Sequence, residues 1–257
     1  MYIPESLHRY FTFENGFKLI KSSKLILSSF KGFNDPFEFL PQSKYSKDLI
    51  SKCTSKIRDL IQHLEKRNKE EVFFWPRQIG PIKHYLGFLE NVRLACFSEM
   101  HDNILMWGHY GGQHTGIVIS FKTSIDIWGG NNFYPVRYSN ARQSIFDTDE
   151  QADSTTLGKQ WQYDLFCSKA ECWNYEREWR FIKYKKHIPN FSVGESDIHY
   201  VEIEEDAIDA IRLGCQISQK DKEELINYCI KNLPNVKIYQ FFPDITNYSL
   251  AYEEISF

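Results

Sequence analysis

The chain has 257 residues and a formal net charge of -3, and 25% of its residues are charged. That length is enough to bury a sizeable core, and we expect one domain over residues 1–257 with an insertion. The small net charge excludes an overall positive field that would draw the protein onto nucleic acid or an acidic membrane, although a local basic patch is compatible with it. Aromatic residues make up 16% of the chain, which suits either a tight aromatic core or a cleft that stacks planar ligands.

The amino-terminal residues lack the basic region and the apolar run of a signal peptide, and no stretch approaches the length of a membrane span. The sequence therefore predicts a cytoplasmic protein without a membrane partner. Its six cysteines form no Cys-x-x-Cys pair, which favours reduced thiols. Two glycines separate His109 from His114, so the two imidazoles do not share a helix face, and we predict no metal site.

The first third of the chain carries patterns for a strand at 7–11 and a short helix at 15–21, followed by an apolar stretch at 25–29. In the loop that follows, Asn34-Asp35-Pro36 is strong turn chemistry, because a proline disfavours helical geometry at the residue before it. Apolar residues then recur at helical spacing over 43–71. This spacing predicts a long amphipathic helix, within a helical insertion at about 43–90.

The middle of the chain predicts strands at 92–98 and 116–121 around a helix through 103–110, with Asp102 as its cap. Trp107 and Tyr110 lie three residues apart and share one face of that helix. Core packing is the ordinary role of such a pair, and a wall for a planar base is the alternative.

The remainder begins with a polar loop at 139–160. Strands are predicted at 200–203, 210–213 and 236–242, and a helix begins after Ser218, with Asp221 in a weak variant of the capping box.

Between these segments, the pattern of residues 171–180 predicts a strand with aromatic side chains on one face and charged side chains on the other. Trp173, Tyr175 and Trp179 would share one face, and Glu176, Glu178 and Arg180 the other. Carboxylates two residues apart on one strand face lie roughly 6–7 Å apart, close enough to perturb each other's ionisation. An ordinary solvated sheet face explains the same pattern.

Three blocks together resemble the signature of a widespread bacterial family described only as a domain of unknown function: residues 33–38, residues 96–98 with 106–110, and residues 173–180. The run 207–214, with the helix and strand after it, is also similar to that family. The resemblance spans nearly the whole chain and implies no activity by itself.

The order of the blocks more distantly resembles the ADP-ribosyltransferase superfamily. In one branch, an arginine, a serine and a late Glu-x-Glu pair build the NAD pocket, and Arg9, Ser98 and the pair Glu176 and Glu178 stand in that order. His8, Tyr110 and a late glutamate would satisfy a second branch. Ser98 lacks the Thr-Ser that usually follows it, so both mappings stay open. The implied fold is α+β, with a split mixed or antiparallel sheet, flanking helices and the helical insertion.

The resemblance implies an NAD-dependent ADP-ribosyltransferase that modifies a macromolecule, either a nucleic acid such as RNA or a protein. Such an enzyme would be a bacterial toxin or phage-defence effector, with a possible cognate antitoxin. Cleavage of the bond between nicotinamide and ribose passes through a ribosyl cation, which a carboxylate stabilises. Glu178 would take that role, and Glu176 would activate the acceptor.

The other candidate residues would bind NAD, which is the substrate and the only cofactor expected. Arg9 would hold a phosphate; the further candidates are His8, Tyr10, Asn34, Asp35, Ser98, Trp107, Tyr110 and Arg180. Tyr110 or Trp107 would stack on nicotinamide, Tyr10 would form a further wall, and Asn34 and Asp35 would shape the rim. Replacement of Glu178 by Gln would then abolish transfer and leave stability nearly unchanged.

Two other functions fit the same residues: a non-catalytic recognition module of a defence or toxin-antitoxin complex, and a hydrolase that cleaves NAD. The enzymes predict that Glu176 and Glu178 line a closed pocket and titrate abnormally. The recognition module predicts a flat exposed patch.

Overall fold

The computed structural model describes residues 2–35, 37–39, 91–124, 128, 130, 132–141, 166–188 and 199–256. The helix predicted over 43–71 and the rest of the insertion to residue 90 lie outside the described residues. Most of the polar loop predicted at 139–160 also lies outside them.

The described residues form twelve strands, which are β1 (Ser6–Phe11), β2 (Lys24–Leu27), β3 (Val92–Ser98), β4 (Ile117–Lys122), β5 (Phe133–Pro135), β6 (Arg137–Ser139), β7 (Ser168–Ala170), β8 (Glu178–Tyr184), β9 (His199–Glu202), β10 (Ile208–Leu213), β11 (Lys237–Pro243) and β12 (Leu250–Glu254). The α-helices among them are α1 (Phe13–Ser22), α2 (Ile104–His109) and α3 (Gln219–Asn232). Short 3-10 turns occupy Phe30–Gly32, Glu171–Glu176, Lys185–His187 and Glu205–Ala207. Within the described ranges, no helix has the length and apolar character needed to cross a membrane.

Eight strands form one sheet in the order β12-β11-β10-β4-β1-β3-β8-β5. Its neighbouring strands are antiparallel except for β10 and β11, which are parallel and joined through α3, since parallel strands need a crossover connection. The strands β2 and β9 form a small antiparallel sheet, and β6 and β7 a small parallel one. The fold is thus mixed α/β with a mostly antiparallel open sheet and few helices, which confirms the predicted α+β class at this level.

The helix ends show why these segments are helical. The side chain of Thr12 accepts from the Asn15 amide at 3.4 Å and caps α1, and Ser218 caps α3 in the same way as predicted. At α2 the cap is Asn103 and not Asp102, because Asn103 Oδ1 accepts from two amides of the first turn, at 2.9 and 3.2 Å. Asn103 directly precedes the first helical residue, so its side chain is closer to these amides than the side chain of Asp102.

The main core lies on one face of the large sheet, under α1 and α3. Alternate residues of the strands enter it, among them Leu7, Phe97, Ile119 and Ile211, and they meet Leu225 of α3. The helix α1 approaches the sheet closely at Gly16, where a Cβ atom would lie 2.6 Å from the Ile117 side chain. The opposite face of the sheet carries two smaller apolar clusters, one that includes Leu94 and one that includes Val118, together with the buried polar side chains of His8 and Ser98.

The strand predicted over 171–180 is wrong in its first half. The Glu171–Glu176 segment is a 3-10 turn, and Arg177 is in the left-handed region at φ 43 before β8 begins at Glu178. Side chains take the place of strand partners here, since Asn103 donates to the Tyr175 carbonyl at 3.1 Å. Within this turn the Trp173 ring lies 4.7 Å from the Lys169 ammonium.

Candidate active site

A polar row crosses three adjacent strands on the face opposite the main core. His8 of β1 is the direct partner of Ser98 of β3, and Ser98 is in turn the direct partner of Glu178 of β8. Side chains of directly opposed residues project to the same side of a sheet. The three strands therefore present these residues side by side.

The sheet opens next to this row. The strands β1 and β3 are paired only at His8 and Ser98, whereas β3 and β8 are paired from Val92 to Ser98. A pocket of about 330 Å³ lies at this opening, and its wall includes Arg9, Tyr10, Leu94 and Phe97 from the two separating strands. This volume is within the range of small-molecule sites, about 300–1,000 Å³.

Eight of the predicted site residues line that pocket: His8, Arg9, Tyr10, Asn34, Ser98, Tyr110, Glu176 and Glu178. They come from segments far apart in sequence. The structure thus brings the first strand, the Asn-Asp turn, the end of α2 and the acidic pair to one place.

Three predicted residues lie outside the pocket wall. Asp35 is buried and its Oδ1 accepts from the Phe37 amide at 2.8 Å, so it shapes the turn. Trp107 is fully buried; its Nε1 donates to the His101 carbonyl at 2.9 Å, and its ring packs edge-on against Tyr10. Of the helical pair, Tyr110 therefore reaches the pocket and Trp107 belongs to the core.

The third, Arg180, is completely buried behind the acidic pair. Its Nε donates to Oε1 of Glu178 at 2.8 Å and its Nη2 to Oε2 at 3.0 Å, which is a bidentate ion pair. It also donates to Oε1 of Glu38 at 2.8 Å and to the Phe166 carbonyl at 2.6 Å. Arg180 therefore supports carboxylates and does not face the pocket.

Lys169 joins the two predicted acids. Its ammonium lies 2.5 Å from Oε2 of Glu176, 3.4 Å from Oε2 of Glu178 and 3.3 Å from Oε1 of Glu38. With Arg180, this makes two cations against three carboxylates, all of them buried. If all are ionised, the cluster keeps one net negative charge beside the pocket.

The acids of this cluster titrate in opposite directions. Burial alone would raise the pKa of Glu178, but the positive charges of Arg180 and Lys169 outweigh it and hold the pKa at about 2. Burial raises the pKa of Glu176, and the charge of Glu178 adds to this effect. Burial works against the charged form of Lys169, but its three carboxylates raise its pKa above the ordinary value. Glu178 is thus a fixed anion, and Glu176 is the more readily protonated of the pair.

Glu176 is held from both sides. The Tyr110 hydroxyl donates to its Oε1 at 2.7 Å and Lys169 binds its Oε2, while Asn34 Nδ2 donates to the Tyr110 oxygen at 3.4 Å. Each Glu176 oxygen keeps a further acceptor position. Glu178 is more fully occupied, because its backbone amide donates to Tyr138 and its carboxylate is bound by Arg180, Lys169 and the Cys96 thiol.

His8 and Arg9 both line the pocket and differ in their surroundings. The Nδ1 atom of His8 lies 2.8 Å from Oγ of Ser120, and burial lowers the pKa of its ring to about 3, which keeps it neutral. Arg9 lies over the Phe11 ring and donates to the Ile26 carbonyl at 3.5 Å. His8 shares the polar row with Glu178, and Arg9 lies at the opening between the strands.

Four residues of the site were not predicted: Glu38, Cys96, Tyr138 and Lys169. Glu38 and Cys96 lie inside sequence blocks that carry the resemblance, so their position was a signal that went unused. Lys169 and Tyr138 lie on β7 and β6, two three-residue strands that pair with each other and, among the described residues, with no other strand. Nothing in their local sequence marks them.

Residues 106–181 match the model of a family described as "Protein of unknown function (DUF2971)". This segment contains Tyr110, Lys169, Glu176, Glu178 and Arg180, and it is the part of the chain for which the similarity to a family of unknown function is supported. Neither the curated proteins nor the solved structures include a match to this chain.

Proposed function

We propose that this protein is an enzyme of the ADP-ribosyltransferase type, which cleaves NAD and transfers ADP-ribose to a macromolecule. The observation that carries the proposal is the row of His8, Ser98 and Glu178 across adjacent strands, in the wall of a pocket that Glu176 and Tyr110 complete. The resemblance assigns Ser98 and the glutamate pair to an NAD site in one branch, and His8, Tyr110 and a late glutamate in the other. A split α+β sheet of this superfamily's kind is part of the proposal.

In this proposal the nicotinamide end of NAD occupies the pocket, with Tyr110 and Tyr10 as aromatic walls. The neutral ring of His8 and the guanidinium of Arg9 supply donors at the side of the first strand. Asn34 lines the pocket and contacts the Tyr110 hydroxyl.

Bond cleavage leaves positive charge on the ribose and an electron pair on the departing nicotinamide. The net negative charge of the cluster stabilises that cation more than it stabilises neutral ribose, so it lowers the barrier. Glu178 contributes as a permanently ionised group, since its pKa of about 2 keeps it charged at neutral pH. It stays in place because Arg180 binds both of its oxygens.

Glu176 is the group suited to handle the acceptor's proton. Its raised pKa makes its carboxylate a stronger base than that of an exposed glutamate, which suits the role of a general base. The acceptor's nucleophilic atom would attack the ribose carbon and lose its proton to Glu176. A nucleic acid or a protein can supply such an atom, and both remain candidates.

The burial of both acids favours an enzyme over a recognition module. Glu176 is 3% and Glu178 4% exposed, and they line a concave pocket and not a flat patch. A hydrolase that cleaves NAD would use the same groups with water as the acceptor.

The deciding experiment is incubation with NAD alone, with cellular RNA and with cellular protein, followed by mass analysis of the small molecules and the polymers. We expect free nicotinamide together with an added ADP-ribose mass on one polymer, and loss of both with Glu176→Gln. Glu202→Gln, at an exposed position of β9, is the matched control. Free nicotinamide without a modified polymer would identify the hydrolase, and no nicotinamide under any condition would refute the proposal.

A further inference from the structure

A second polar cluster lies on the same face of the sheet, on the side of His8 that is away from Glu178. Arg212 of β10 donates through Nη1 to Oγ of Ser120 on β4, which in turn contacts Nδ1 of His8 at 2.8 Å. The ring of His101 meets the ring of His8 edge-on at 5.0 Å between centroids. Three basic side chains thus converge beside the pocket.

The cluster carries a positive charge without a counter-ion. Arg212 is partly exposed, and within the described part of the chain no carboxylate lies at ion-pair distance from it. Asp209 and Asp102 lie near enough to act on Arg212 and His101 electrostatically, but neither forms an ion pair with them. A partly buried cation without a partner is costly, so a bound anion would stabilise it.

Two buried nitrogen atoms of the cluster have no hydrogen-bond partner among the described residues. They are Nε of Arg212 and Nδ1 of His101. Buried polar atoms in native proteins are nearly always hydrogen-bonded, to protein, water or a ligand. An acceptor-rich anion bound beside these side chains would supply the missing partners.

The aromatic surroundings narrow the ligand class. The guanidinium of Arg212 lies 5.3 Å from the Tyr239 ring centroid, and Tyr252, which packs edge-on against Tyr239, is 52% exposed. A planar guanidinium matches phosphate oxygens, and exposed aromatic rings beside it suit the sugar and base of a nucleotide.

We propose that Arg212, His101 and His8 form a binding site for a phosphate group of a nucleotide or nucleic acid. Ser120 lies on β4, three strands from Glu178 on β8, which is about 14 Å at ordinary strand spacing. The site is therefore separate from the acidic pair but shares His8 with the pocket. The phosphate belongs either to the nucleotide that fills the pocket or to a single-stranded nucleic acid that crosses the pocket. Binding at this site does not require that NAD is cleaved.

The first test is calorimetric titration with inorganic pyrophosphate, ADP-ribose and a ten-nucleotide single strand, at one fixed ionic strength. We expect Arg212→Gln to weaken binding of at least one probe roughly ten- to a hundred-fold, the usual effect of losing a charged hydrogen bond. The control Lys220→Gln removes the same charge from α3, which packs on the other face of the sheet. Equal affinities in the two variants, or no binding of any probe to the unmodified protein, would overturn the proposal.

The three probes distinguish the source of the phosphate. Loss of ADP-ribose binding assigns the site to the nucleotide, and loss of oligonucleotide binding alone assigns it to a nucleic-acid strand. Loss of pyrophosphate binding alone would overturn the assignment to a nucleotide or nucleic acid.

A second measurement uses the unmodified protein and so does not depend on the variant folding. The imidazole NMR signals of His101 and His8 should shift when the best-binding probe is added, and the pKa of His101 should rise, while the signals of the exposed His187 stay unchanged. If the His101 and His8 signals do not move at saturation, the proposed site is refuted. No turnover is measured, so failure here leaves the NAD proposal standing, and inactivity towards NAD leaves this site standing.

Discussion

The hydroxyl of Ser98 donates a hydrogen bond of 2.6 Å to the backbone carbonyl of Glu176. Its oxygen also accepts from the Met100 amide at 3.0 Å. The serine thus ties the end of β3 to the end of the 3-10 turn, and its proton is used within the protein. Within the proposed function, Ser98 positions Glu176 and lines the pocket without giving its proton to NAD.

Replacing Ser98 with Ala should lower the free energy of unfolding by about 1–3 kcal/mol, because the buried Glu176 carbonyl and the partly buried Met100 amide lose their partner. Urea unfolding measures this effect. Ser168→Ala is the control, since the buried hydroxyl of Ser168 has no partner among the described residues, and it should change stability little. Unchanged stability of Ser98→Ala with lost affinity for NAD would instead show that Ser98 contacts the ligand.

Replacing Glu178 with Gln should destabilise the protein by about 3–5 kcal/mol, the usual cost of leaving one member of a buried ion pair without its partner. The amide cannot accept both guanidinium bonds from Arg180. This revises the expectation from sequence that stability stays nearly unchanged. Urea unfolding with Glu202→Gln as control is the measurement, and equal midpoints for the two variants would contradict the buried pair.

Replacing Lys169 with Met should raise the pKa of Glu176 further, because the ammonium that favours its charged form is lost. Carboxyl NMR titration of Glu176 measures this directly. If NAD is cleaved, the rise of activity on the acid side should move to higher pH. Lys122→Met, at an exposed strand end, is the control, and an unmoved Glu176 titration would argue against the contact at 2.5 Å.

Tyr110→Phe and Trp107→Ala should distinguish the role of Tyr110 in the site from the role of Trp107 in the core. Tyr110→Phe removes one hydrogen bond to Glu176 and should cost only about 0.5–1.5 kcal/mol, yet impair NAD cleavage. Trp107→Ala should cost about 3–5 kcal/mol, because the ring is fully buried. Thermal unfolding together with nicotinamide release tests both, and the pattern reversed would place Trp107 in the site.

The protein should lose stability as pH falls from 6.5 towards 4, partly through His8 and His101. Burial lowers their pKa values to about 3 and about 4 in the folded state, so the unfolded chain binds these protons first. His8 contributes a slope of up to about 1.4 kcal/mol per pH unit. Urea unfolding at pH 7.5, 5.5 and 4.5 should show a flatter dependence for His8→Gln than for His187→Gln. Parallel curves would mean that His8 is charged in the folded protein.

Local chemistry accounts for most of the elements that were predicted correctly. Strands β1, β3, β4, β10 and β11 and all three helices follow from apolar periodicity, and the cap at Ser218 follows from hydroxyl chemistry at a helix start. The strands β5, β6 and β7 were missed because three residues are too few for a period to show. The first half of the 171–180 segment was predicted wrongly for the opposite reason. Its aromatic and acidic residues alternate as in a strand, but they form a 3-10 turn.

By itself the sequence determined the residue types of most of the candidate site, and the strands β1, β3 and β8 that carry His8, Ser98 and Glu178, since both are properties of short segments. Only the tertiary structure decided that Lys169 lies between Glu176 and Glu178, and that Arg180 lies behind them, fully buried. Ionisation depends on burial and on charges brought together from distant segments. That is why Glu178, two residues from Glu176, has a lowered pKa while the pKa of Glu176 is raised.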